Sequence, residues 1–212
     1  MEYITVALAK GRLAKKAMEV LGKAGISCDE MNDPDTRKLI FTNEEKKMKF
    51  FLAKAGDVPT YVEHGAADIG IVGKDTIMEE GKKLYEVIDF GFGRCRMCVA
   101  GPESARELLG SGRRIRVATK YPNIATDYFT NVLHQTAEII KLSGSIELAP
   151  IVGLSDVIVD IVETGSTLRE NGLAILAEIV PFSARMVVNQ VSMKMEQDRI
   201  QKLIADVRAV LG

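Results

Sequence analysis

An apolar stretch, Val157-Ile158-Val159, runs into Asp160-Ile161-Val162-Glu163 and then into Thr164-Gly165-Ser166-Thr167. These are the parts that phosphate recognition needs. Gly165 lets the backbone approach an anion closely, neighbouring N–H groups form a nest, and Thr164, Ser166 and Thr167 add hydroxyl donors. Acids beside such a turn suit ribose hydroxyls, or a phosphate-bound magnesium ion reached through water. The same pattern also describes an ordinary strand-to-helix turn capped by hydroxyls. A second candidate is Lys10-Gly11-Arg12, directly after an apolar run and at the opening of an amphipathic segment. Cations at a helix N-terminus oppose the dipole unless an anion compensates, so the placement suits a polyphosphate or a merely solvated helix start. Arg37-Lys38, ahead of Leu39-Ile40-Phe41, and Lys120, in the loop 118–123, are further cationic candidates.

Several tempting residues carry less. Cys95 and Cys98 form C-x-x-C, but within a strand-like run the odd spacing puts them on opposite faces. No second pair completes a zinc site, so they read as core thiols. His64 and His134 stand alone in helical patterns. Neither a Walker A sequence nor a full Rossmann glycine fingerprint is present.

The elements that must hold these residues alternate between β-branched runs and helical periods, which predicts an α/β fold with mostly parallel strands. The first strand is expected at about Ile4 to Ala9, followed by a helix carrying Leu13, Ala17, Val20 and Leu21. Leu39-Ile40-Phe41 and 48–52 read as short strands around a charged turn. A second helix is expected to start at Asp57 as N-cap, with Pro59 in its first turn. Arg185-Met186-Val187-Val188-Asn189 reads as a returning strand. Ile200, Leu203, Ile204, Val207 and Leu211 then repeat at helical spacing, and that helix is expected to pack on the first half.

Two distant stretches share one order of parts. Gly65-Ala66-Ala67-Asp68-Ile69-Gly70-Ile71-Val72-Gly73 sets a small-residue helix end, an aspartate and an apolar strand in sequence, and Gly153-Leu154-Ser155-Asp156-Val157-Ile158-Val159 repeats it. This suggests two similar α/β lobes facing a cleft, with the chain crossing near Phe90-Gly91-Phe92-Gly93-Arg94. The expected lobes are 1–92 with 184–212, and 93–183.

With 212 residues and 47% apolar content the chain can bury a real core. A net charge of −1 argues against a non-specific nucleic-acid binder, so any anionic ligand must be held by a few placed cations and amides. No apolar run approaches the roughly 20 residues of a membrane helix. The N-terminus shows no signal-peptide pattern, and three cysteines fit a reducing compartment. The expectation is a cytoplasmic protein.

Ala9-Lys10-Gly11-Arg12, Arg37-Lys38-Leu39-Ile40-Phe41, Gly73-Lys74-Asp75, Ala118-Thr119-Lys120-Tyr121, Glu147-Leu148-Ala149-Pro150 and the stretch 159–168 resemble, in order, the ATP phosphoribosyltransferase family. So does Asp57-Val58-Pro59-Thr60-Tyr61-Val62-Glu63-His64-Gly65-Ala66-Ala67-Asp68. The resemblance implies a two-lobed fold similar to type II periplasmic binding proteins, with the active site in the cleft. It implies transfer of the phosphoribosyl group of phosphoribosyl pyrophosphate to N1 of ATP, with Mg2+ held mainly by substrate phosphates rather than by protein ligands. Asp160, Glu163, Thr164, Gly165, Ser166, Thr167 and Leu168 match the family's phosphoribosyl pyrophosphate loop. Lys10, Gly11, Arg12, Arg37 and Lys120 fall on the ATP side, with Arg12 and Arg37 as catalytic candidates at the departing pyrophosphate. The chain resembles the short form, without the regulatory domain of the long form. That implies a catalytic dimer and a partner regulatory subunit resembling histidyl-tRNA synthetase. The rivals are a small-anion-binding or sensing module on the same fold, and a phosphoribosyltransferase for another nitrogen nucleophile.

Overall fold

A computed structural model describes residues 2–32 and 36–212. Strand β1 (Ile4–Ala9) is apolar at all but one position and almost wholly buried, as a strand covered on both faces must be. Helix α1 (Arg12–Lys23) buries Ala14, Ala17 and Leu21, and Gly25, at φ 79°, closes it with Ile26 N–H on the Leu21 carbonyl. The charged turn joins β2 (Ile40–Asn43) to β3 (Met48–Ala53) as an antiparallel pair. Next come α2 (Val58–Glu63), β4 (Ile69–Gly73), α3 (Lys74–Glu80) and β5 (Tyr85–Asp89). Asp57 stands at the N-cap of α2, but its side chain makes no capping hydrogen bond. A short 3-10 turn over Ala55–Asp57 leads the chain into the helix instead, so the expected cap chemistry is corrected here.

The chain continues through β6 (Cys95–Gly101), β7 (Ile115–Thr119), α4 (Pro122–Asp127) and β8 (Ala137–Lys141). After these come α5 (Leu148–Ile151), β9 (Val157–Val162), α6 (Ser166–Glu170) and β10 (Ala174–Phe182). It returns as β11 (Ala184–Val188), α7 (Gln190–Met195) and α8 (Gln197–Leu211). Contacts divide it into two compact units: residues up to Gly93 with Ser183–Gly212, and Arg94–Phe182.

The first unit's sheet runs β2-β3-β1-β4-β11-β5, and the second unit's runs β8-β7-β9-β6-β10. Apart from the extra edge strand β2, the two orders correspond strand for strand. The β1/β3 and β1/β4 pairs are parallel, as are β7/β8 and β7/β9. The β11 and β6 pairings with their neighbours are all antiparallel. The expected parallel arrangement therefore holds only for β3-β1-β4 and for β8-β7-β9. The pairings of β6 and β11 are antiparallel because each enters its sheet directly after a segment of the other unit, in the reverse direction, whereas β2/β3 is a local hairpin.

The sequence repeat has a matching geometry. Asp68 N–H donates to the Thr5 carbonyl at 2.9 Å, and the Thr5 N–H donates to Asp68 Oδ2 at 2.7 Å. In the second unit the Asp156 N–H donates to the Arg116 carbonyl at 2.9 Å, and the Arg116 N–H donates to Asp156 Oδ2 at 2.8 Å. Each aspartate thus locks the start of one central strand against the next. Arg116 Nη2 also reaches Asp156 Oδ1 at 2.7 Å, which holds that carboxyl below its ordinary range.

Core residues alternate across each sheet. Val6, Leu8, Ile71 and Met186 face α1 and α8, where Ile200, Leu203, Ile204 and Val207 are buried. The terminal helix therefore packs on the first unit, as its periodicity implies. Ala7, Ala9 and Val72 face Val58 and Val62 of α2 on the other side. The approach of α2 is close: a Cβ at Gly70 would lie 2.8 Å from Val62 Cγ2 and 2.9 Å from Val58 Cγ1. Gly70→Ala is expected to destabilise the protein by about 1–3 kcal/mol through overpacking, read as a lowered urea midpoint. An unchanged midpoint would mean that α2 shifts freely. In the second unit Met97, Val99, Val117, Val159 and Phe129 form one cluster, and Cys98, Ala100, Ala118, Ile158 and Leu168 another. Cys95 packs against the first and Cys98 lies in the second, on opposite faces as their spacing requires, and burial pushes the Cys98 thiol up. His64 caps the end of α2. His134 lies outside any helix, with φ 50°, because the chain must turn there towards β8.

Candidate active site

Strand β9 ends in the turn singled out in the sequence. Asp160, Glu163, Thr164, Gly165, Ser166, Thr167 and Leu168 line one concavity of ≈ 370 Å³, with Glu147 and Ala100 beside them. Gly165 sits at the N-cap of α6 with φ 73° and ψ 12°, a left-handed conformation that glycine adopts without steric cost. Thr164 Oγ1 and Ser166 Oγ stand 3.1 Å apart, so the two hydroxyls point into a shared space. Leu168 is buried and anchors the turn to the core.

Asp160 is half-buried, and its Oδ1 accepts the N–H of Ile161 at 2.8 Å. Its carboxyl is pushed above the ordinary range, mainly by burial and further by the charge of Glu147. The Ile161 N–H and the charge of Lys120 pull the other way. Lys120 is thus electrically coupled to Asp160, although it comes from the end of β7. A buried threonine fixes that relation: Thr119 Oγ1 donates to the Val159 carbonyl at 2.7 Å and accepts the Tyr121 N–H at 2.8 Å. One hydroxyl therefore clamps the residues flanking Lys120 to the residue before Asp160.

Glu147 was not among the sequence candidates. It occupies the N-cap position of α5, one element before the strand that carries Asp160, and no local pattern joins the two. The signal available was the recurrence of Glu147-Leu148-Ala149-Pro150 among the stretches that carry the family resemblance.

In the first unit Lys10, Gly11 and Arg12 lie at the carboxyl end of β1 and the start of α1. Lys10 N–H donates to the Ala53 carbonyl at 2.9 Å, tying the segment to the end of β3. Gly11 takes φ 99° and ψ −148°, a region open to glycine alone. Together with Lys15, Cys28, Met31 and Leu52 it lines a concavity of ≈ 620 Å³. Arg37 is exposed on the segment leading into β2. The structure thus gathers the loop residues of the second unit into one site and groups Lys10, Gly11 and Arg12 at one strand end.

A hydroxyl- and glycine-lined turn beside carboxylates, at the end of a strand in an α/β fold, has the composition of an anion-binding turn. Over its whole length the chain is 75% identical to an ATP phosphoribosyltransferase of Lachnoclostridium phytofermentans, covering 98% of that relative. It is 59% identical to that of Ruminiclostridium cellulolyticum, covering 99% of it. The sequence profile of HisG, ATP phosphoribosyltransferase, matches residues 54–209. The chain belongs to the ATP phosphoribosyltransferase family, whose members carry out the first step of histidine biosynthesis. Among solved structures, the ATP phosphoribosyl transferase (HisG:HisZ) complex from Thermotoga maritima matches with a TM-score of 0.82 at 36% identity, over 98% of both chains. The Bordetella pertussis BvgS VFT2 domain matches with a TM-score of 0.58 at 12% identity, over 99% of this chain and 91% of that one, which shows the fold alone. Among the described residues, no helix is long and apolar enough to cross a membrane.

Proposed function

We propose that the concavity at the end of β9 holds phosphoribosyl pyrophosphate, and that this chain transfers its 5-phosphoribosyl group to N1 of ATP with release of pyrophosphate. The observation that supports the reading is the gathering of three acids, Glu147, Asp160 and Glu163, and the hydroxyl turn around one space. The turn 164–167 offers Thr164, Ser166 and Thr167 hydroxyls, together with the N–H groups of the first turn of α6, to the 5-phosphate. Asp160 and Glu163 accept the ribose hydroxyls. Lys10, Gly11, Arg12, Arg37 and Lys120 serve ATP and the pyrophosphate end of the donor.

Adenine N1 is a neutral nucleophile, so the reaction needs no strong base. The sugar passes through an oxocarbenium-like state while negative charge grows on the leaving pyrophosphate. Arg12 and Arg37 stabilise that charge and also reduce the repulsion between two polyanions. Alignment of N1 with the anomeric carbon supplies much of the remaining acceleration. Asp160, Glu163 and Glu147 are hard oxygen donors suited to Mg2+. The ion would be held chiefly by substrate phosphates, with these carboxylates assisting, and would neutralise phosphate charge. We further infer a catalytic dimer, a regulatory partner resembling histidyl-tRNA synthetase, and a cytoplasmic site of action.

The test is a magnesium-containing reaction of the chain with ATP and phosphoribosyl pyrophosphate, read by mass spectrometry for phosphoribosyl-ATP, with and without the regulatory subunit. Product in either arm supports the reading. Bound but unconsumed phosphoribosyl pyrophosphate in both arms would make the protein a binding module instead.

A further inference from the structure

Arg169 sits behind the phosphate-binding turn. Its Nη1 donates to the Thr164 carbonyl at 3.0 Å, and its backbone N–H donates to the Gly165 carbonyl at 3.1 Å. Thr164, Gly165 and Ser166 line the concavity, whereas Arg169 does not. In a planar trans peptide the C=O and the following N–H point in opposite directions. Holding the Thr164 carbonyl on the guanidinium therefore turns the Gly165 N–H away from Arg169.

This restraint has something to act on. Glycine populates left-handed and ordinary conformations about equally, so the Thr164–Gly165 peptide is the least determined link in the turn. A Cβ at Gly165 would lie 3.3 Å from the same Nη1, which shows how closely the guanidinium fits against the glycine backbone. Its positive charge also adds to the field of the turn without contacting a ligand in the concavity.

We propose that Arg169 is a positioning residue: it presets the Gly165 N–H for the 5-phosphate of the donor without touching that phosphate. The proposal rests on the reading that this turn binds the phosphate, and deepens it. The consequence is selective. Loss of the guanidinium raises the KM for phosphoribosyl pyrophosphate while the KM for ATP and kcat at saturation stay near their starting values.

The experiment compares Arg169→Met, Arg169→Lys and Thr167→Val with the unaltered chain, in complex with the regulatory subunit if activity requires it. Steady-state kinetics are measured for both substrates, and calorimetry gives the affinity for ribose 5-phosphate, which carries the phosphate without the leaving group. Arg169→Met is expected to weaken ribose 5-phosphate and raise the donor KM by about five- to twentyfold, as for loss of a charge-assisted restraint. Arg169→Lys keeps one donor and is expected to stay within about threefold. If Arg169→Met binds ribose 5-phosphate normally while Thr167→Val binds it poorly, Arg169 does not position the turn, although the turn binds phosphate. The positioning role is equally overturned if Arg169→Lys is as impaired as Arg169→Met. If neither Arg169→Met nor Thr167→Val alters ribose 5-phosphate binding, the phosphate site lies elsewhere and both statements fall. Thermal melts identify any variant whose loss reflects unfolding, and Arg169→Lys remains the informative one in that event.

Discussion

Asp160→Asn is expected to lower kcat/KM for phosphoribosyl pyrophosphate by about 10- to 100-fold while making the protein more resistant to heat. The first effect follows from the role proposed for Asp160 as a charged acceptor for a ribose hydroxyl, an interaction worth about 1.5–3 kcal/mol. The second follows from the environment of the carboxyl. Burial pushes its pKa above the ordinary 3.8, and the Glu147 charge adds to the shift. Between 3.8 and the raised value the folded state holds more protons than the unfolded one, so stability falls as pH rises through that window. At neutral pH the wild-type chain therefore carries a destabilising carboxylate. Asparagine removes the charge and keeps an oxygen to accept the Ile161 N–H. Thermal melts at pH 4 and pH 7 check this: the gap between variant and wild type should be wide at pH 7 and narrow at pH 4. A variant that melts below the wild type at pH 7 would mean that Asp160 is held by a stabilising partner.

Arg12→Ala is expected to reduce kcat by about 100- to 1,000-fold, the scale of removing one group aimed at charge that grows in the transition state. The KM for phosphoribosyl pyrophosphate should change far less, because the proposed holders of that substrate's phosphate and ribose belong to the turn after β9. Arg12 opens α1 at the carboxyl end of β1, where parallel strands deliver ligand-binding side chains. Arg37→Ala should act in the same direction. Equal losses of donor affinity with unchanged turnover in both variants would remove the arginines from the leaving group. A pre-steady-state burst would show whether chemistry or product release sets the measured rate.

Much of the architecture was legible where local pattern and burial agree. β1 occupies the expected six residues because a short apolar run with β-branched residues, interrupted only by Thr5, suits a strand covered on both faces. The charged turn before Met48 marks its hairpin for the same reason in reverse. Aspartates 68 and 156 showed as a repeat because each must satisfy the backbone at the start of a central strand. Strand direction was not legible: β6 and β11 look like other apolar runs, and their antiparallel sense comes from where the chain enters the sheet. The turn 164–167 announced itself through residue types packed within a few positions. Glu147, by contrast, meets Asp160 only because α5 precedes β9 and folds back against it. Arg169 reads locally as one more surface cation, and only the direction of its guanidinium gives it a task.

The interleaving of β11 between β4 and β5 sets an order of assembly on the ribosome. The second unit is one continuous stretch and can complete its sheet as soon as Phe182 has emerged. The first unit, although synthesised earlier, lacks its fifth strand and its closing helix until the segment Ser183–Gly212 arrives, and an incomplete sheet of that kind exposes unpaired edges and apolar surface. The nascent chain must therefore carry its N-terminal half unfinished while the later half folds. Of the two units, it is the one bearing Arg12 and Arg37 that stays open to aggregation until that segment arrives.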